Sequence, residues 1–102
     1  MTPAQIGKIG EHHVATWFQL NGYTVTLNAR LPGSTDIEAD GRAAILVQVK
    51  TAVHPEEPAD LSADELRNIR SRAADARRTA YMAKVTINAS GGLVRDIRWT
   101  RL

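Results

Sequence analysis

The sequence predicts an α/β fold: a central mixed sheet of five strands flanked by helices, in the order helix, three strands, helix, two strands. Three observations carry that expectation. Two segments that open on a capping Thr or Ser continue with apolar residues at helical spacing. Several short runs rich in strand formers are bounded by Gly, Pro, Asn or Asp. The second helix falls between the third and fourth strands, which makes that connection a parallel crossover, while the short turns on either side imply antiparallel neighbours.

Taken in order, Thr2-Pro3-Ala4-Gln5 starts the first helix, with Thr2 as N-cap, Pro3 at the first helical position and Gln5 three residues after the cap. Ile6, Ile9, His13 or Val14, Trp17, Phe18 and Leu20 then mark one buried stripe, and Asn21-Gly22 ends it. Glu11 sits at the edge of that stripe, where a carboxylate needs a partner. Gly7 and Gly10 each cost a helix about 1 kcal/mol against Ala, which suggests close approach of another backbone or a ligand beside Glu11.

Tyr23 to Leu27 alternates apolar and polar and reads as the first strand; Asn28 to Ser34, with Pro32-Gly33-Ser34, reads as a loop. Strand two is Thr35 to Ala39, Asp40-Gly41 is a turn, and strand three is Ala44 to Lys50, whose Ile45-Leu46-Val47 run implies a central strand buried on both faces. Thr51 to Leu61 is a loop with two prolines, long enough to suggest a function. Ser62-Ala63-Asp64-Glu65 is a capping box, after which Leu66, Ile69, Ala73, Ala76 and Ala80 form a narrow stripe of mostly small residues suited to lying close on a sheet. Tyr81 to Asn88 is the fourth strand, Ser90-Gly91-Gly92 a turn, and Leu93 to Leu102 the fifth strand.

A chain of 102 residues, 43% hydrophobic and 24% charged, has room for one globular domain over residues 1–102. No apolar run approaches the roughly 20 residues that cross a bilayer, and a capped helix stands where a signal sequence would be, so a soluble cytoplasmic protein without membrane partners is expected. The absence of cysteine excludes disulfides and thiolate metal sites. Any metal must be held by oxygen or histidine, and Mg²⁺ or Mn²⁺ fits best. The net charge is only +2, but ten of the thirteen basic residues are Arg, whose planar fork of donors suits phosphate. An arginine-biased coding genome explains the same balance, so charge alone decides nothing.

The chemistry rests on residues 35–51. Side chains two apart on a strand share a face, so Asp36 goes with Glu38, and Gln48 with Lys50. A two-residue loop at Asp40-Gly41 pairs Asp36 with Ile45 and leaves Asp36 and Lys50 on opposite faces, whereas an odd loop or a bulge puts Asp36 opposite Leu46 or Gln48. A functional site therefore requires an odd connection. If the two pairs converge, Asp36 supplies a hard anionic oxygen for Mg²⁺, and Gln48 a weaker neutral one, with the Val49 backbone carbonyl as a third candidate. Lys50 can then orient the attacking water, lower its pKa or neutralise the phosphate, and Glu11 can take a second cation or hold a metal-bound water. Without convergence, Asp36 and Glu38 are ordinary exposed acids and Lys50 an edge lysine that discourages strand pairing.

Glu11 in the first helix, then Asp36, eleven intervening residues and Gln48-Val49-Lys50-Thr51 resemble the PD-(D/E)XK nuclease superfamily, restriction endonuclease-like in fold, and in particular its Mrr-type and Holliday junction resolvase-like branches. The order of elements is similar as well. The resemblance implies a metal-dependent nuclease with Asp36 and Gln48 as ligands, Lys50 catalytic and Glu11 supporting. Two positions depart from the usual pattern: Thr35 stands where a Pro commonly precedes the Asp, and Gln48 stands in place of an acid, as it does in the Mrr-type branch.

Other residues carry weaker signals. His12 and His13 suit surface or packed roles, and His54, in the loop after Lys50, is an accessory candidate together with Glu38 and Thr51. On the second helix Arg67, Arg70, Arg77 and Arg78 fall within an arc of about 100° and can follow a phosphate backbone, or form a solvated face balanced by nearby acids. With no helix-turn-helix or zinc module in view, the expectation is a Mg²⁺-dependent deoxyribonuclease of structure-specific or relaxed sequence preference, as a homodimer or a subunit of a larger DNA-processing system. The alternatives are a nuclease fold without chemistry that binds nucleic acid or a protein partner, and an RNA-cutting toxin domain.

Overall fold

The computed structural model describes the backbone of residues 1–31 and 34–102 and the side chains of residues 1–27 and 37–102. The elements are α1 (Pro3–Leu20), β1 (Thr24–Leu31), β2 (Ser34–Asp40), β3 (Ala44–Val53), α2 (Ala63–Ala76), β4 (Thr79–Ile87) and β5 (Arg98–Arg101). The predicted order is therefore found. The five strands lie side by side in sequence order, antiparallel throughout except for the parallel pair β3 and β4, which α2 connects.

Both helices begin where their caps place them. The Thr2 hydroxyl accepts from the Gln5 N–H and the Gln5 side chain returns to the Thr2 N–H, and Ser62 and Glu65 repeat the arrangement at α2. α1 covers one face of the sheet, burying Val14 and Phe18 against Ile37, Ala39, Val47, Ala83, Val85 and Ile87. Each of the Val, Ile and Phe side chains among them contributes roughly 1.5–3 kcal/mol by leaving water. α2 covers the other face through Ile69 and Ala73, which meet Leu46 and Ala80. β3 is thus the covered central strand that its apolar run implied.

The strands depart from their expected limits where local pattern is weakest. β1 runs on to Leu31, through residues expected to form a loop, and β3 continues to Val53. β5 is confined to Arg98–Arg101, and Leu93, expected within it, makes only a single bridge to Ile87 and stays exposed. Leu20, expected in the buried stripe of α1, is 82% exposed. Ala80 belongs to β4, because α2 ends at Ala76 with Arg77 in the left-handed region at φ 55°. Among the described residues no helix is long and apolar enough to cross a membrane.

Candidate active site

The connection between β2 and β3 is odd. Asp40 pairs with Ala44, which leaves Gly41, Arg42 and Ala43 as a three-residue link closed by a 3.1 Å bond from the Gly41 N–H to the Ala43 carbonyl. Asp36 is consequently the direct cross-strand partner of Gln48, and Glu38 that of Leu46. Directly paired residues share a face, and this is the face that α2 covers. Asp36 therefore lies on the same side of the sheet as Gln48 and Lys50. Its side chain lies outside the described residues.

α1 reaches the same end of the sheet by close contact with β3. A Cβ on Gly10 would sit 1.7 Å from Thr51 Oγ1, so only glycine lets the helix approach there. Gly10 is thus a point of close approach, though to a side chain and not to the backbone or ligand expected, and Thr51, an accessory candidate, packs beneath α1 on the opposite face from Gln48 and Lys50. Gly7 does not make such a contact: nothing lies within 4 Å of where its Cβ would be, and the space beside it belongs to a cleft. This cleft, of about 470 Å³, is lined by Gly7 and Glu11 of α1, Gln48, Val49 and Lys50 of β3, and Glu65 of α2.

Within it, charge and hydrogen bonding are unevenly satisfied. Burial pushes the Glu11 carboxyl above the ordinary carboxylate value, against an opposing pull from Lys8. Lys50 Nζ donates to Glu65 Oε2 at 2.7 Å, and Gln48 Nε2 donates to the same oxygen at 3.0 Å. Glu65 Oε1 accepts from the Ser62 N–H at 2.9 Å. The Lys50 bond first, and the Ser62 N–H after it, hold the Glu65 carboxyl below its usual value. Gln48 is only 8% exposed, and its Oε1 has no hydrogen-bond partner among the described residues. A buried carbonyl oxygen left without a donor is what an electropositive ligand would satisfy.

Gln48 and Glu11 line one cleft, and oxygen donors of these kinds are chemically suited to Mg²⁺ or Mn²⁺. Among the described residues alone, no three His, Asp or Glu side chains cluster to hold a metal, so the fit depends on Asp36 and on the neutral Gln48.

Glu65 is the residue that sequence reasoning passed over. It was visible as the third residue of a capping box, but nothing local shows that its second oxygen reaches β3. Glu38 is turned away from the cleft toward Arg78, with 3.7 Å between Glu38 Oε2 and Arg78 Nη2. His54 lies beyond the end of β3, exposed, where its N–H donates to the Ile87 carbonyl. His12 is exposed, and His13 Nε2 lies 2.8 Å from the Gly91 carbonyl, a packed role.

The four arginines do not form one helical arc, because α2 stops before two of them. Arg67 pairs with Asp64 of its own helix, Arg70 is exposed, and Arg77 is the exposed C-cap. Arg78 forks onto Asp40 at 2.9 and 3.2 Å, and so fastens the start of β4 to the end of β2.

No family model and no curated protein matches the sequence. Among solved structures, the Holliday junction resolvase Hjc of the archaeal hyperthermophile Archaeoglobus fulgidus superposes with a TM-score of 0.72 at 25% identity, covering 93% of this chain and 71% of that one. The chain has the fold of that resolvase. The resemblance to the PD-(D/E)XK nucleases that the spacing of Asp36, Gln48 and Lys50 carried is thus supported, on the resolvase-like side, by a superposition over 93% of this chain.

Proposed function

We propose that this protein is a structure-specific nuclease that hydrolyses DNA phosphodiester bonds with the help of a divalent cation. The observation that carries the reading is the direct pairing of Asp36 with Gln48 on the face that also bears Lys50, at the end of the sheet where α1 brings Glu11 into the same cleft. The likeness to a Holliday junction resolvase supports a branched substrate.

Asp36, Gln48 Oε1 and Glu11 would hold Mg²⁺ or Mn²⁺, with the Val49 carbonyl as a further oxygen. A cation held there supplies positive charge at the phosphate and makes water easier to deprotonate. Lys50 brings a compact ammonium to the cleft, which neutralises a phosphate oxygen and orients water for attack in line with the departing oxygen. α1 and α2 cover the two faces of the sheet and leave phosphate access at this end. The exposed Arg70 and Arg77 add sequence-independent attraction for the backbone. Cutting two strands of a junction at the same time would take two such clefts, and hence a second copy of the chain.

The test is incubation of the purified protein with Mg²⁺ or Mn²⁺ and a four-way DNA junction, duplex DNA, single-stranded DNA and RNA. The junction is expected to be cut preferentially, with Asp36→Asn and Lys50→Ala each slower by about 100-fold or more. The reading fails if none of the nucleic acids is cut, or if Lys50→Ala cuts as well as the parent. Preferential cutting of RNA would favour a toxin-like ribonuclease. The neutral Gln48 and the pairing of Lys50 with Glu65 favour one second reading, a module that binds DNA without cutting it. Such a module would show salt-dependent DNA binding unaffected by Mn²⁺ and by Asp36→Asn.

A further inference from the structure

From the bonds that meet at its carboxylate, we infer that Glu65 is a positioning residue for the cleft: it fixes which way the Gln48 amide points and where the Lys50 ammonium sits. This deepens the nuclease reading and rests on it for the identity of the site.

The argument starts from the donors around one carboxylate. Ionised Glu65 can only accept. Its Oε1 takes the Ser62 N–H, and its Oε2 takes both Lys50 Nζ and one amide hydrogen of Gln48. The Gln48 atom facing Glu65 must therefore be the nitrogen, because a carbonyl oxygen there would meet the carboxylate lone pairs. That orientation turns Gln48 Oε1 away from Glu65; it is buried, it has no partner among the described residues, and it belongs to a residue that lines the same cleft as Glu11. A glutamine whose amide is free to turn must first settle its oxygen toward a cation, and one held with its NH₂ toward the cleft repels it. Glu65 removes that freedom, so the neutral Gln48 behaves as a committed oxygen donor. The same oxygen keeps the Lys50 ammonium on the α2 side of the cleft, two residues along the same strand face.

A purely structural role at the helix start makes a different prediction. Glutamine also suits the third position of a capping box, so Glu65→Gln can keep the cap. With only one acceptor oxygen, however, the new amide must use it on the Ser62 N–H and turn its NH₂ toward Gln48 and Lys50. The Gln48 amide then has to flip, which brings its own NH₂ round to the cleft. Moving the carboxylate to β3 in the double variant Gln48→Glu/Glu65→Gln restores one acceptor toward the cleft and one acid beside Lys50.

The experiment is Mn²⁺ titration by calorimetry on the intact protein, together with the nitrogen-15 spectrum of the Gln48 side-chain amide in the metal-free state. Glu65→Gln is expected to weaken Mn²⁺ binding by about 10–100-fold, the usual effect of removing the partner that orients a metal ligand, and to shift the Gln48 amide resonances and speed their exchange. The double variant is expected to recover most of the lost affinity. Ser62→Ala, which removes the hydroxyl half of the cap, is expected to lower the melting temperature while Mn²⁺ affinity stays within about twofold. Unchanged Mn²⁺ affinity and unchanged Gln48 amide signals in Glu65→Gln would overturn the inference. So would a Ser62→Ala variant that loses as much affinity as Glu65→Gln, or a double variant that recovers none. A parent that binds Mn²⁺ in this Glu65-dependent way but cuts nothing overturns the nuclease reading and leaves Glu65 in its role. A parent that cuts, with Glu65→Gln cutting and binding alike, overturns the role of Glu65 alone.

Discussion

Asp36 and Gln48 are direct partners across β2 and β3, one anionic and one neutral residue at the same level of the sheet. Glu38 shares that face but is held by Arg78. In the proposed cation site the strand-borne negative charge therefore comes from Asp36, while Glu38 is engaged elsewhere. Asp36→Asn is expected to weaken Mn²⁺ binding by at least about tenfold, whereas Glu38→Gln leaves it within about twofold, both read by calorimetry.

Restoring the acid at position 48 should come with a stability cost. In Gln48→Glu, a second carboxylate replaces the amide 3.0 Å from Glu65 Oε2, and two like charges that close cannot both ionise freely. One carboxyl of the pair is then raised in the folded state, so the folded protein keeps a proton that the unfolded chain releases. Stability accordingly falls as pH rises through the raised value. Gln48→Glu is expected to melt below the parent at about pH 8 and to approach it near about pH 4. Adding Glu65→Gln should abolish most of the difference, as thermal melts at the two pH values would show.

The approach of α1 to β3 is set by Gly10 and Thr51. A methyl at Gly10 would overlap Thr51 Oγ1 and lie 2.8 Å from its Cβ. Gly10→Ala is expected to cost about 1–3 kcal/mol in urea unfolding. It should also displace the neighbouring Glu11 and weaken Mn²⁺ binding. Thr51→Ala in the same chain removes Oγ1 and Cγ2 but leaves the Cβ, so the recovery should be partial.

These contacts show what was legible in the sequence. Capping boxes are local, and Thr2 with Gln5 and Ser62 with Glu65 placed both helix starts. Cross-strand register was legible as a condition: an odd link was required for Asp36 to meet Gln48, and the link has three residues. The destination of Glu65 Oε2 was hidden because it depends on how α2 lies across β3, fifteen residues after Lys50. The arginine arc misled for a similar reason. An arc through Arg77 and Arg78 needs the helix to continue, but Arg77 adopts the left-handed conformation that ends α2.

Arg77 and Arg78 should therefore behave oppositely. Arg78 is half-buried and bonded to Asp40, which is itself exposed, and lies 3.7 Å from Glu38, so Arg78→Ala is expected to cost about 1 kcal/mol in urea unfolding. Arg77→Gly relieves a left-handed non-glycine residue and is expected to stabilise by about 1 kcal/mol. If Arg77 meets phosphate, the same change shallows the salt dependence of DNA binding by close to one charge, measured by titration over a range of salt concentrations.

Glu11 sets stability against cation binding. Burial raises its folded-state pKa, so between the ordinary carboxylate value and the raised one the folded protein binds the proton more tightly than the unfolded chain does. Stability is then greatest at low pH as far as this group is concerned. It declines as pH rises through the raised pKa and stays lower above it. Glu11→Gln removes the buried charge, and in metal-free buffer it is expected to melt above the parent at about pH 8, with the difference vanishing below about pH 4. Added Mn²⁺ should reverse the order. A cation that binds only the folded state raises the melting temperature of the parent in proportion to its affinity, while the variant, lacking the carboxylate, gains less. A parent and variant that gain equally from Mn²⁺ would remove Glu11 from the cation site and leave its raised pKa a consequence of burial alone.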